Sequence, residues 1–237
     1  MLRLDSRHSA AIAVVISCSS YGTEEQTLSS VSREEALAMA EQYRAHTWTA
    51  TDQNIFHGMD PDGIEVQTPN AGFCPVDDRR GWWEAGKANI GIPYMWDGFD
   101  TPESFDAGLR DGKCAGDIYT QEKRRLLDDA VSKHAVGIDC SGFVSRCWKL
   151  PRSYSTRELP ALCEPIMDLA QLKPGDIFNT HNAHVVLFAG WLDDAHLSLK
   201  AYEAGGNPEW RVLLSTMSLQ SLFEKGYTPW RYRGIRD

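Results

Sequence analysis

Near residue 170 the apolar pattern of this 237-residue chain changes period, and that change narrows the fold more than any other feature. Upstream, apolar residues recur at helical spacing. Ser32-Arg33-Glu34-Glu35 has the form of a capping box and leads into a helix over Ala36 to Tyr43, ending near His46. Leu126, Leu127, Ala130 and Val131 predict a helix over 122–134, and Phe143, Val144, Cys147 and Trp148 form one face of a helix over 140–149. Downstream, strand-like runs cover 176–179, 184–191, 197–204 and about 210–214, with a short one at 230–232. Helices first and an antiparallel sheet afterwards is an α+β arrangement.

Composition excludes some classes. A formal net charge of -9 argues against electrostatic partnership with nucleic acid or anionic lipid. No apolar run approaches the ~20 residues that cross a bilayer. The start is more specific: Arg3 and Arg7 precede an apolar stretch from Ala10 to Ile16. Val15-Ile16-Ser17-Cys18 then has the form of a lipoprotein cleavage site. Residues 1–18 therefore read as an export leader, with Cys18 as the lipid acceptor, and the Ser-rich residues 19–31 as a linker. Residues 32–81 form a small N-terminal helical extension and 82–237 the main domain. Export leaves Cys74, Cys114, Cys147 and Cys163 either for up to two disulfides, in three pairings, or as buried thiols. No pair has CxxC spacing and the histidines are scattered, so neither metal nor cofactor is expected.

The chemistry centres on Gly137-Ile138-Asp139-Cys140-Ser141-Gly142. A nucleophilic thiol must ionise well below its ordinary ~8.5. With Asp139 as N-cap, Cys140 sits in the first helical turn, where unpaired N–H groups and the helix dipole favour a thiolate. Gly142 would let a substrate approach the backbone. His184 opens an apolar strand and is the candidate base. A two-residue turn at Asp193-Asp194 would place it directly across from Glu203, on one face of the hairpin. A four-residue turn would make them diagonal neighbours on the same face, and a three-residue turn would put them on opposite faces. His181, nearby, reads as loop, as does Ser153 to Arg157, which could border a cleft. Trp82, Trp83 and Trp96 suit either core or groove, and Lys123-Arg124-Arg125 suits a solvated helix face.

Four blocks in order now carry a family likeness. Gly91-Ile92-Pro93-Tyr94-Met95-Trp96-Asp97-Gly98, Asp139 to Val144, Leu172-Lys173-Pro174-Gly175-Asp176 and His184-Val185 together resemble the NlpC-type cell-wall cysteine peptidases, over roughly residues 90 to 232. The resemblance implies a papain-like α+β fold, with helices packed on a central antiparallel sheet. It also implies hydrolysis of amide bonds in peptidoglycan stem peptides or muropeptide fragments, between γ-D-glutamate and a diamino acid. Position by position, Cys140 is the nucleophile, His184 the base and Glu203 the orienting group. Tyr94 lines the site, and Asp139 and Ser141 recognise a substrate's free amino end. Two departures stand out. Asp97 replaces the first Gly of the family's usual pair, and Glu203 stands where a His is common, which should hold His184 as imidazolium. The rivals are a thiol amidase or acyltransferase acting on another acyl substrate, and a catalytically silent envelope-binding module.

Overall fold

A computed structural model describes residues 28–73, 81–205 and 209–237. The expected leader, Cys18 and Cys74 lie outside the described residues. Among the described residues are five α-helices: α1 (Arg33–Ala45), α2 (Pro102–Arg110), α3 (Gln121–Leu126), α4 (Cys140–Cys147) and α5 (Leu219–Glu224). Six strands, β1 (Cys163–Pro165), β2 (Ile177–Thr180), β3 (His184–Trp191), β4 (Ser198–Ala204), β5 (Val212–Ser218) and β6 (Thr228–Tyr232), form one sheet. Its order is β5-β4-β3-β2-β6-β1 and every pairing is antiparallel. The fold is thus α+β. No helix among the described residues is long and apolar enough to cross a membrane.

Strand alternation divides the apolar side chains between two cores. Val185, Leu187, Tyr202 and Ala204 pack with α4 through Phe143, Val144 and Cys147. Val186, Phe188, Leu199 and Ala201 pack with α5 through Leu222 on the other face. The helix that begins at Cys140 is therefore buried against the two strands that carry His184 and Glu203.

The capping box at α1 forms as expected: the Ser32 hydroxyl accepts from the Glu35 N–H, and the Glu35 carboxylate accepts from the Ser32 N–H. Its buried face, Ala36, Ala40 and Tyr43, belongs to the same core as α4, with Tyr43 edge-on to Phe143 at 5.8 Å. Val31–Ser32, at the end of the expected linker, pairs in parallel with Ile235–Arg236. The apolar core therefore runs unbroken across the expected boundary at 81/82, and residues 31–50 are part of the main body.

Two other expectations change. The helix expected over 122–134 stops at Leu126, where Leu127 takes φ 53° and lines a cleft, and a 3-10 turn over Leu127–Ala130 buries Ala130. The Asp193-Asp194 turn is in fact a five-residue loop, closed by the Leu192 N–H on the Ser198 carbonyl. Its cause is the Asp193 carboxylate, which accepts from the N–H groups of Leu197 and Ser198 at 2.9 and 2.8 Å. Cys114, Cys147 and Cys163 are buried free thiols, so no disulfide joins the described cysteines.

Candidate active site

Asp139 has extended backbone geometry and caps α4, its carboxylate accepting from the Gly142 N–H at 2.5 Å. The Asp139 carbonyl accepts from the Phe143 N–H. The N–H groups of Cys140 and Ser141 are therefore the first-turn donors left for a ligand. Ser141 donates to the Asp139 carboxylate at 3.0 Å. Gly142 has a different purpose from the one expected. A Cβ there would collide with the Gly98 carbonyl oxygen, so glycine is required for α4 to pack on that loop.

That loop belongs to the Tyr94 block. Met95 and Ile138, and Ile138 and Pro93, exchange backbone hydrogen bonds, while the Asp139 N–H reaches the Gly98 carbonyl. On the other side Trp96 and Tyr94 bond with Asp117. Two motifs some 40 residues apart thus form one backbone unit that seats the cysteine. Asp97, at φ 54°, holds the left-handed backbone conformation that glycine adopts most easily.

The hairpin registers as Trp191↔Leu199 and Gly190↔Lys200, then Phe188↔Ala201 and Leu187↔Tyr202. One residue, Ala189, is bulged between these two halves. The odd loop alone would put His184 and Glu203 on opposite faces, and the bulge restores the parity. They are diagonal neighbours rather than directly opposite, and His184 Nε2 lies 3.0 Å from Glu203 Oε2. With Nε2 committed to Glu203, Nδ1 is the nitrogen left for Cys140.

Cys140, His184, Glu203, Tyr94, Asp139 and Ser141 all line one cleft of about 400 Å³. Burial acts against a charged His184. The Cys140 charge and hydrogen bond and the Glu203 hydrogen bond outweigh it, and hold the imidazole well above its ordinary range. Burial likewise works to raise Glu203, but the His184 hydrogen bond and charge bring it below its ordinary value. Burial pushes Asp139 up to about 7, against the Gly142 N–H bond and assisted by the charge of Asp97. The Tyr94 phenol is raised by burial and by the Cys140 and Asp139 charges.

Trp83 is wholly buried in the core, whereas Trp96 lines the cleft. Ser155, Thr156 and Arg157 border it, and His181 is exposed in the loop before β3. Sequence reasoning missed Tyr227, whose ring stands edge-on to His184 at 6.4 Å. It lies in an irregular connection with no motif to mark it. Among the described residues, Asp60, Asp62 and His134 bring three ligand-type atoms together. Asp60, however, is occupied by the N–H groups of Asp62 and Ile64 and by the Ser132 hydroxyl, the pattern of a turn anchor. No family model, curated protein or solved structure matches the chain.

Proposed function

We propose that the protein is a cysteine peptidase of NlpC type, with a papain-like arrangement of nucleophile and base. Its substrates are peptidoglycan stem peptides or muropeptide fragments, cut at a γ-D-glutamyl–diamino acid amide. The supporting observation is the convergence of three groups in one cleft: a thiol at a helix start, an imidazole beside it, and a carboxylate 3.0 Å from the imidazole's far nitrogen. That is the arrangement nucleophilic acyl transfer requires.

In this reading the Cys140 thiolate attacks the amide carbonyl, and the N–H groups of Cys140 and Ser141 receive the developing oxyanion. His184 imidazolium gives its proton to the departing amine, leaving a thioester. A water molecule, deprotonated by His184, then attacks the thioester; the carboxylic acid departs and the thiol is restored. Glu203 holds the ring in one orientation and stabilises its charged form. Asp139, with Ser141 and Tyr94, meets the free amino end of the substrate. Export to the cell envelope, with a lipid on Cys18, belongs to the same proposal.

The test is incubation of the purified protein with γ-D-glutamyl-diaminopimelate peptides, alongside Cys140→Ala, with products read by mass spectrometry. Cleavage by wild type alone is the expected result. Binding without cleavage by both proteins would replace the proposal with a binding module.

A further inference from the structure

The run Lys123-Arg124-Arg125 gives three cations three different surroundings. Lys123 is buried against Asp117, and Arg125 turns outward to Glu122. Arg124, between them, is half-buried and lines the cleft. Arg157 lines the same cleft from the loop after α4. Among the described residues neither guanidinium makes an ion pair or a hydrogen bond. Arg124 does not pair with Asp128, one turn further on, and Glu158, beside Arg157, is taken by Arg152 at 2.8 Å. Asp97 and Asp128 also face the cleft and act on one another, but neither neutralises an arginine.

From this we infer that Arg124 and Arg157 are specificity residues that recognise a free carboxylate on the substrate, close to the carbonyl that Cys140 attacks. A guanidinium fork matches a carboxylate in two hydrogen bonds. A ligand without such a group would cover Arg124 and leave it desolvated and unpaired, a cost that selects against neutral substrates. The Lys123–Asp117 pair beneath α3 makes this presentation rigid, because it fixes the residue next to Arg124. The inference rests on the proposed peptidase reading for its substrate, a short peptide whose γ-linked acidic residue keeps its α-carboxylate free. It does not rest on that reading for the recognition itself.

Two measurements separate the claims. Alkylation of Cys140 by iodoacetate and by iodoacetamide, read by mass spectrometry on the Cys140 peptide, compares an anionic with a neutral reagent and requires no peptide hydrolysis. The iodoacetate-to-iodoacetamide rate ratio should fall about 3- to 10-fold in the Arg124→Gln/Arg157→Gln double variant. It should be largely kept in the double Arg→Lys variant, and circular dichroism should match wild type. In the second measurement, wild type should prefer a γ-D-glutamyl peptide over its α-carboxamide by about 10-fold or more in kcat/KM. The Gln variant should lose that preference. An unchanged alkylation ratio overturns the inference even if the peptide is cut. A ratio that falls in a protein that cuts neither peptide keeps the inference and overturns the peptidase proposal.

Discussion

His184 and Glu203 meet at 3.0 Å across a diagonal of the β3–β4 ladder, and they share a face only because Ala189 is bulged out of it. The loop at the hairpin's end contributes an odd number of residues, and the bulge contributes one more. Without the bulge, alternation along the strand would send the carboxylate to the side opposite the imidazole. Bulges often re-aim side chains beside active sites, and this one brings the His184 imidazole and the Glu203 carboxylate to one face.

Glu203→Gln tests that alignment, since it keeps the shape and removes the charge. His184 sits well above its ordinary range because the Cys140 charge and hydrogen bond and the Glu203 bond together outweigh burial. Stability from a raised histidine is fully present below its ordinary value, near 6.5, and is lost as pH rises through the folded value. The variant should lose about 10- to 100-fold in kcat/KM, the worth of one charged hydrogen bond. Its alkaline limb should move to lower pH. A pH–rate profile that coincides with wild type would remove Glu203 from the mechanism.

Asp139 gives a second pH signature. Burial, its largest influence, pushes the carboxyl up to about 7. A raised carboxyl stabilises the fold below the ordinary Asp range, near 3.9, and that stabilisation is lost as pH rises through about 7. Asp139→Asn keeps a good helix cap and removes the titration. Urea midpoints at pH 4.5 and 7.5 should therefore differ less in Asp139→Asn than in wild type. The same variant should lose discrimination between free-amine and N-acetylated peptides. An undiminished pH slope in the variant would place the titration elsewhere.

Much of this arrangement was legible in the sequence because it depends on local patterns. Asp139 before Cys140, the apolar face from Phe143 to Trp148, and the alternation over 184–191 each describe one element. Their side chains settle where that element's period sends them. What escaped depends on partners distant in the chain. A lysine beside two arginines reads as solvated until Asp117 is placed beneath it. Gly142 reads as an opening for substrate until the Gly98 carbonyl occupies the space. The start of α2 is written in Thr101-Pro102, where Thr101 caps and Pro102 fits the first turn, but only Phe105 and Leu109 mark its apolar face. The bulge at Ala189 is marked locally only by Gly190, a glycine inside the strand-like run that takes φ 150°.

Gly142→Ala follows from the close approach at α4. The added methyl meets backbone, Gly98 O, rather than the end of a flexible side chain, so one of the two segments must shift. Expected is a loss of about 2 kcal/mol or more in unfolding free energy, the range for overpacking a rigid site. Activity should fall with it, because the displaced segment carries Tyr94 and seats Cys140. A variant with wild-type urea midpoint and wild-type activity would mean that the Gly98 loop is free to yield.

Lys123→Met asks whether the buried pair beneath α3 is structural. Burial pushes Asp117 up to about 6, and the Lys123 charge is the chief force pulling it down. Asp117 also accepts from the Gln67 N–H at 3.0 Å, so it ties the 65–67 strand, the Tyr94 block and α3 together. Removing one partner of a buried ion pair typically costs about 3–5 kcal/mol, because the other charge stays behind uncompensated. Asp117 would then resist ionising still more strongly. The loss should therefore be small near pH 4, where the folded carboxyl is neutral with or without Lys123, and grow as pH rises to 8. Asp117→Asn with Lys123→Met should recover most of the stability at pH 8, since the amide oxygen can still accept from Gln67 and no charge remains. If Lys123→Met alone unfolds at the wild-type urea midpoint at pH 8, the pair adds nothing to the fold. Arg124 would then owe its position in the cleft to some other contact.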